Sequence, residues 1–251
     1  MPAVCWRKRR ISLPHWAPAR PAYPPATAAC GTCEEVRVKA KLLSIVKSVL
    51  TALCVLTGSI AVPLLVRPFY HLHIGPLQLE AASGLTAGQI REAYGQMMDY
   101  CLGLHGTFAV GVLPFSAEGA SHFADVRVLF LLDLAVLVLS AAALVLLALY
   151  CRHKAVELHR FRGHDPEFWG CVGLGAAFAL IGALAATDFD RFFTLFHALF
   201  FPGKDNWLFD PRLDPVIEIL PQAFFRNCAI LILVVLLITC TVLILRDRKR
   251  H

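Results

Sequence analysis

Charge is scarce in this chain. Asp, Glu, Lys and Arg supply 17% of its 251 residues while 57% are hydrophobic, and the mean hydropathy is +0.62. That balance excludes an ordinary soluble domain. Several catalytic signatures are missing too. There is no His-Glu-x-x-His or comparable ligand spacing, so neither a metal site nor a cofactor is expected. No Gly-x-Ser-x-Gly elbow exists, and Cys101, a candidate nucleophile, has no histidine at a fixed local spacing. The nine cysteines form no disulfide framework. A single Cys30-x-x-Cys33, without a second pair, is a weak signal for zinc or redox chemistry. No apolar core precedes Leu42, so no cleavable signal peptide is expected.

What the chain does have is four long apolar stretches: Leu42 to Val66, Val128 to Tyr150, Trp169 to Ala186 and Cys228 to Leu245. A membrane-crossing helix needs about 20 mostly apolar residues. All four qualify, which predicts an all-α membrane protein with four transmembrane helices. Lys47 near one end of the first stretch reads as a snorkelling cation. Lys and Arg gather before Leu42, between Arg152 and Arg162, and after Leu245. The connection from Arg67 to Val126 holds only Arg67 and Arg91, and the one from Thr187 to Asn227 is acidic on balance. The positive-inside rule therefore predicts cytoplasmic termini and two long extracytoplasmic loops. The formal charge of +6 reflects that topology, and no nucleic-acid partner is expected.

The expected organisation is a disordered basic cytoplasmic tail over residues 1–41, a membrane domain over 42–246 and a short basic tail over 247–251. A misplaced start codon is an alternative account of the first segment. Within the first long loop, Ile90, Ala93, Tyr94 and Met97 recur at helical spacing behind Thr86, an N-cap residue type. Ser116-Ala-Glu-Gly reads as a turn, with Ser121 as the cap of the second span. The third span is rich in small residues, including Gly170, Gly175 and Gly182, which permit close helix packing. The second loop carries many Phe residues and Trp207, a composition suited to headgroup depth, with short interfacial helices.

Two histidines beside apolar segments are the best candidates for chemistry, because imidazole transfers protons near neutral pH. From a helix start at Ser121, His122, Asp125, Asp133 and Ser140 fall on nearly one face. An acid inside a membrane helix faces the protein interior, which turns His122 inward; packing roles for Asp125 and Asp133 are the alternative. If the third span continues past Thr187, Asp190, Thr194 and His197 share a face. Arg191 and Lys204 could hold a phosphate or stabilise an oxyanion, or could simply snorkel. Trp207 fits an interface anchor or a substrate contact. His71, His73 and His105 complete the histidines of the two loops.

Three segments then carry a resemblance. They are Phe115-Ser-Ala-Glu-Gly-Ala-Ser-His-Phe-Ala-Asp-Val-Arg-Val-Leu-Phe130, Phe196-His-Ala-Leu-Phe-Phe-Pro-Gly-Lys-Asp-Asn-Trp-Leu-Phe-Asp-Pro211 and Leu213-Asp-Pro-Val-Ile-Glu-Ile-Leu-Pro-Gln-Ala-Phe-Phe225. With these the chain resembles the lipoprotein intramolecular transacylases of Gram-positive bacteria, over roughly Leu42 to Leu245. The resemblance implies an acyltransferase of the plasma membrane, multi-pass, with its active site at the extracytoplasmic face. Its substrates would be diacylglyceryl-modified lipoproteins in the lipid bilayer. The sn-2 acyl chain would move to the cysteine's own α-amino group, leaving a lyso-form lipoprotein. The resemblance also implies His122 and His197 as the catalytic pair, and the reading of the residues around them puts Asp125, Asp190, Arg191, Lys204 and Trp207 in support. A non-catalytic lipid- or partner-binding protein and a histidine-dependent phospholipase are the alternatives.

Overall fold

The computed structural model describes the backbone of residues 26–249 and the side chains from Glu34 onward. Residues 1–25 of the expected tail, the Cys30-x-x-Cys33 side chains and residues 250–251 lie outside the described residues. The chain divides into two compact units, residues 1–38 and 39–251, and the larger one holds the candidate site.

Among the described residues the elements are all helical: α1 (Ala26–Leu65), α2 (Arg67–His71), α3 (Leu79–Ser83), α4 (Ala87–Cys101), α5 (Ala117–His153), α6 (Pro166–Thr187), α7 (Phe189–Phe200), α8 (Val216–Ile219) and α9 (Gln222–Arg248). Four helices have the length and apolar composition to cross a membrane: Glu34–Leu65, Ala117–His153, Pro166–Thr187 and Gln222–Arg248. They expose Val138, Leu139, Val145, Leu146, Leu180 and Ile238, a continuous apolar surface that water would not tolerate and lipid does.

Both helix ends depart from the expected tails. Helix α1 opens at Ala26, so residues 26–41 are helical and not a disordered tail. The run from Glu34 to Lys41 has no Gly or Pro, and Glu34 and Arg37 stand at a favourable i, i+3 spacing. At the other end α9 runs on to Arg248. Asp247 is buried there, accepting the Asp165 N–H at 3.0 Å and pairing with His164 Nδ1 at 2.7 Å.

The small residues of α6 do what their size permits. A Cβ added at Gly170 would come within 2.8 Å of the Ser48 carbonyl on α1, and one at Gly182 within 2.5 Å of Leu233 on α9. Lys47 does not snorkel. It is paired with Glu167 of α6 at 2.8 Å, because an acid on the neighbouring helix offers a closer partner than the membrane surface.

The larger apolar core joins the two long loops to the ends of two spans. Tyr70, Ile74, Leu79, Ile90, Tyr94, Met97 and Val110 of the first long loop pack with Phe123 of α5 and with Val216, Ile219 and Phe224 around the start of α9. Helix α4 opens with Thr86 as N-cap in a complete capping box with Gln89, and its spaced apolar residues Ile90, Ala93, Tyr94 and Met97 are all buried. The Tyr70 and Tyr94 rings stack at 3.6 Å, and the Tyr70 hydroxyl donates to the Ile219 carbonyl at 2.7 Å. The two loops thus form one folded cap at one end of the helices.

Candidate active site

Placement of His122 begins five residues upstream of its expected cap. Helix α5 starts at Ala117, with Ser116 as N-cap accepting from Gly119 N–H at 2.9 Å. Ser121 lies inside the first turns. Asp214, from the second loop, makes the difference: its carboxylate accepts the Ser116 N–H at 2.8 Å and the Ser116 hydroxyl at 2.7 Å. An added Cβ at Gly119 would collide with that carboxylate. Glycine there lets the second loop clamp the start of α5, and His122 follows one turn later.

His197 reaches the same place from α7. The third span does not run on unbroken: the backbone is extended at Asp188, with φ −157° and ψ 91°. Asp188 caps the new helix by accepting the Arg191 N–H at 2.9 Å. Helix α7 then exposes Leu195, Phe196 and Leu199 and buries His197.

The two imidazoles lie with ring centroids 5.9 Å apart and planes 28° from parallel. They are 6% and 8% exposed. Phe201 and Phe209 wall His122 at 4.9 and 5.5 Å. The Trp207 indole stacks on the His197 ring at 4.4 Å, so it contacts the site where an interface anchor was one expectation. The Phe193 carbonyl lies 2.8 Å from His197 Nδ1. A carbonyl only accepts, so Nδ1 carries the proton and Nε2 of the neutral ring keeps its lone pair. Burial holds the pKa of His197 below its ordinary 6.5, the Phe193 carbonyl opposing in part.

Around this pair the expected supporting residues separate into two groups. Lys204 Nζ donates to both oxygens of Asp125, at 2.6 and 2.7 Å, so cation and acid neutralise one another beside His122. Asn206, read from sequence as a turn residue, donates to Asp125 at 3.3 Å and to the Ser121 hydroxyl at 3.5 Å. Asp190 instead accepts from Gln222 at 2.9 Å and lines a cavity of about 180 Å³ with Phe189, Ala223 and Arg226. Arg191 is exposed on α7. Asp133 has an oxygen without a hydrogen-bond partner. Cys101 is fully enclosed and burial pushes its thiol up to about 12, far from the thiolate a nucleophile requires.

Sequence reasoning missed Ser116, Gly119 and Asp214, which build the clamp, and gave Asn206 no role in the site. An Asp-Pro pair in a loop signals a turn and carries no sign of a partner 98 residues away.

The family model described as lipoprotein intramolecular transacylase Lit matches residues 45–225. None of the curated proteins matches. Among solved structures, the membrane-integral lipoprotein intramolecular transacylase Lit from Bacillus cereus superposes with a TM-score of 0.72 at 24% identity, covering 84% of this chain and 97% of that one. Two variants of that protein, in which a histidine is replaced by arginine or by alanine, superpose at 0.69. The arginine variant is 23% identical and covers 89% of this chain and 96% of its own; the alanine variant is 24% identical and covers 89% and 98%. Those structures share the fold, and the family model spans both histidines, the clamp and the Asp125–Lys204 pair: the chain belongs to the lipoprotein intramolecular transacylase family and is a membrane-integral acyltransferase.

Proposed function

We propose that the protein moves the sn-2 acyl chain of a lipoprotein's diacylglyceryl-cysteine to that cysteine's own α-amino group, using His122 and His197 as the acid–base pair. The observation that carries this reading is the pairing of two enclosed imidazoles, 5.9 Å apart. An α-amine has a pKa of about 7.7–8.0 and is largely protonated at neutral pH. One imidazole takes its proton. The freed nitrogen attacks the sn-2 ester carbonyl, a C–N bond forms, and the glyceryl C–O bond breaks. The nitrogen, cationic after its attack, gives its second proton to the other imidazole, which passes it on to the departing glyceryl oxygen. The product is an N-acyl lyso-form lipoprotein.

Amine and ester belong to one molecule, so holding them in contact supplies a large effective molarity and no protein nucleophile is required. Burial of both rings supports transfer over hydrolysis, since water has little access. Basic residues at the end opposite the cap support a cytoplasmic location for both termini and an extracytoplasmic one for the site. The deciding experiment expresses the protein in a bacterium lacking lipoprotein N-acylation, followed by mass spectrometry of a lipoprotein's N-terminal peptide. An N-acylated monoacylglyceryl peptide is expected. A peptide still diacylated with a free amine overturns the reading, and a lyso-peptide with a free amine identifies a phospholipase.

A further inference from the structure

His122 differs from its partner in one respect. His197 has a carbonyl on Nδ1, whereas His122 Nδ1 is buried with no hydrogen-bond partner. A second orphan lies in the same site: Asn206 Oδ1, also buried and unpaired. The Asn206 amide acts on the His122 ring without a formed hydrogen bond between them.

The orientation of the Asn206 amide is fixed by its other end. Its NH2 faces the Asp125 carboxylate at 3.3 Å and the Ser121 hydroxyl at 3.5 Å. A carboxylate only accepts, so nitrogen must point there and oxygen must point away. Asp125 is itself anchored by two contacts from Lys204. Lys204, Asp125, Asn206 and His122 therefore form a chain in which Lys204 holds Asp125, Asp125 holds Asn206, and His122 is the open end. Leaving a buried donor and a buried acceptor both unmade costs the desolvation of each. Catalytic hydrogen bonds are often long without substrate and tighten when it binds.

We infer that Asn206 is a positioning residue for His122: its Oδ1 takes the imidazole Nδ1–H and leaves Nε2 as the lone-pair nitrogen facing His197 and the substrate. Both imidazoles then present the same nitrogen, one set by the Phe193 carbonyl and the other by a carboxamide. The Asp125 charge, largely matched by Lys204, favours the protonated ring directly, and its carboxylate also holds the amide in place. The inference rests on the acid–base reading of the pair, and its test separates the two.

The experiment uses the full-length protein in lipid nanodiscs with ¹⁵N-labelled histidine, with and without a diacylglyceryl-cysteine peptide. Loss of one signal in His122→Ala assigns the residue. In the unaltered protein with peptide, His122 is expected as the Nδ1–H tautomer. Asn206→Leu should move it toward the Nε2–H form, leave His197 unchanged and lower kcat at least tenfold with KM little altered. Asn206→Asp made together with Asp125→Asn, which keeps an acceptor toward the ring and an amide–carboxylate hydrogen bond behind it, should restore the Nδ1–H form and most of the turnover lost in Asn206→Leu; failure to restore either overturns the inference. So does a His122 tautomer indifferent to Asn206→Leu. A rise in KM alone would mean that Asn206 binds the substrate ammonium directly, which also overturns it. The tautomer is read whatever reaction occurs, so absence of transfer in the unaltered protein sinks the acyl-transfer reading and leaves the Asn206 result standing.

Discussion

A buried imidazole without a charged partner is a base kept ready at neutral pH. Burial penalises the imidazolium form of His197, so protonation requires more acid than for a free histidine near 6.5. Titrating the His197 ¹⁵N signal should therefore give a midpoint below pH 6.5; one above it would show that a negative group, and not burial, governs the ring. The activity carried by its neutral form should be intact at pH 7 and fall on the acid side of that value. Replacement of either histidine by alanine should lower transfer by about 10²–10⁴-fold, the usual worth of a positioned acid or base, with membrane insertion unchanged. A rate within a few-fold of normal for either variant removes that residue from the chemistry.

Elements meet at the site only because loops clamp helices. Asp214 holds the start of α5 through two contacts to Ser116. Removing a buried charged acceptor of this kind costs about 1.5–3 kcal/mol for each hydrogen bond lost. Asp214→Ala should lower the thermal midpoint of the detergent-solubilised protein, and Gly119→Ala should do the same by driving a methyl group into the carboxylate. An unchanged midpoint in both variants would show that the clamp is dispensable. This level of the structure was the least legible beforehand. The four spans were plain, since about 20 apolar residues leave few alternatives. The capping of α4 by Thr86 was plain as well, because a cap and its helix are neighbours in sequence. Ser116 and Ser121 look equally able to cap, and only the distant Asp214 decides between them. Lys204 and Asp125 are 79 positions apart, so helical spacing singled out Asp125 and nearness to His197 singled out Lys204 without revealing that they pair. The break at Asp188 was hidden by helix-compatible residues on both sides.

At the scale of the whole molecule, the apolar surface is divided between lipid and a cap built from both long loops. Four spans lean on the bilayer for burial, while Tyr70, Tyr94 and Phe224 are enclosed by the protein itself. The cap is the part that must exclude water, and it is where the two imidazoles sit. A fluorescent protein fused to the C-terminus should therefore glow in living bacteria, as cytoplasmic folding requires. Alkaline phosphatase inserted at exposed Leu104 should be active, because that enzyme matures only outside the cytoplasm. The reverse pattern would turn the molecule over and place the site on the wrong side for a lipidated secreted protein.

The flat contact between Trp207 and His197, at 4.4 Å and 27°, also makes the protein an optical instrument. An indole next to a neutral imidazole emits normally, whereas an imidazolium over its face is held by cation–π attraction and quenches the excited state. The emission of Trp207, isolated as the difference from a Trp207→Phe variant, should dim as the adjacent ring gains its proton and brighten as it gives it up. Proton movement in the site could then be followed by light during a single turnover, with no label added.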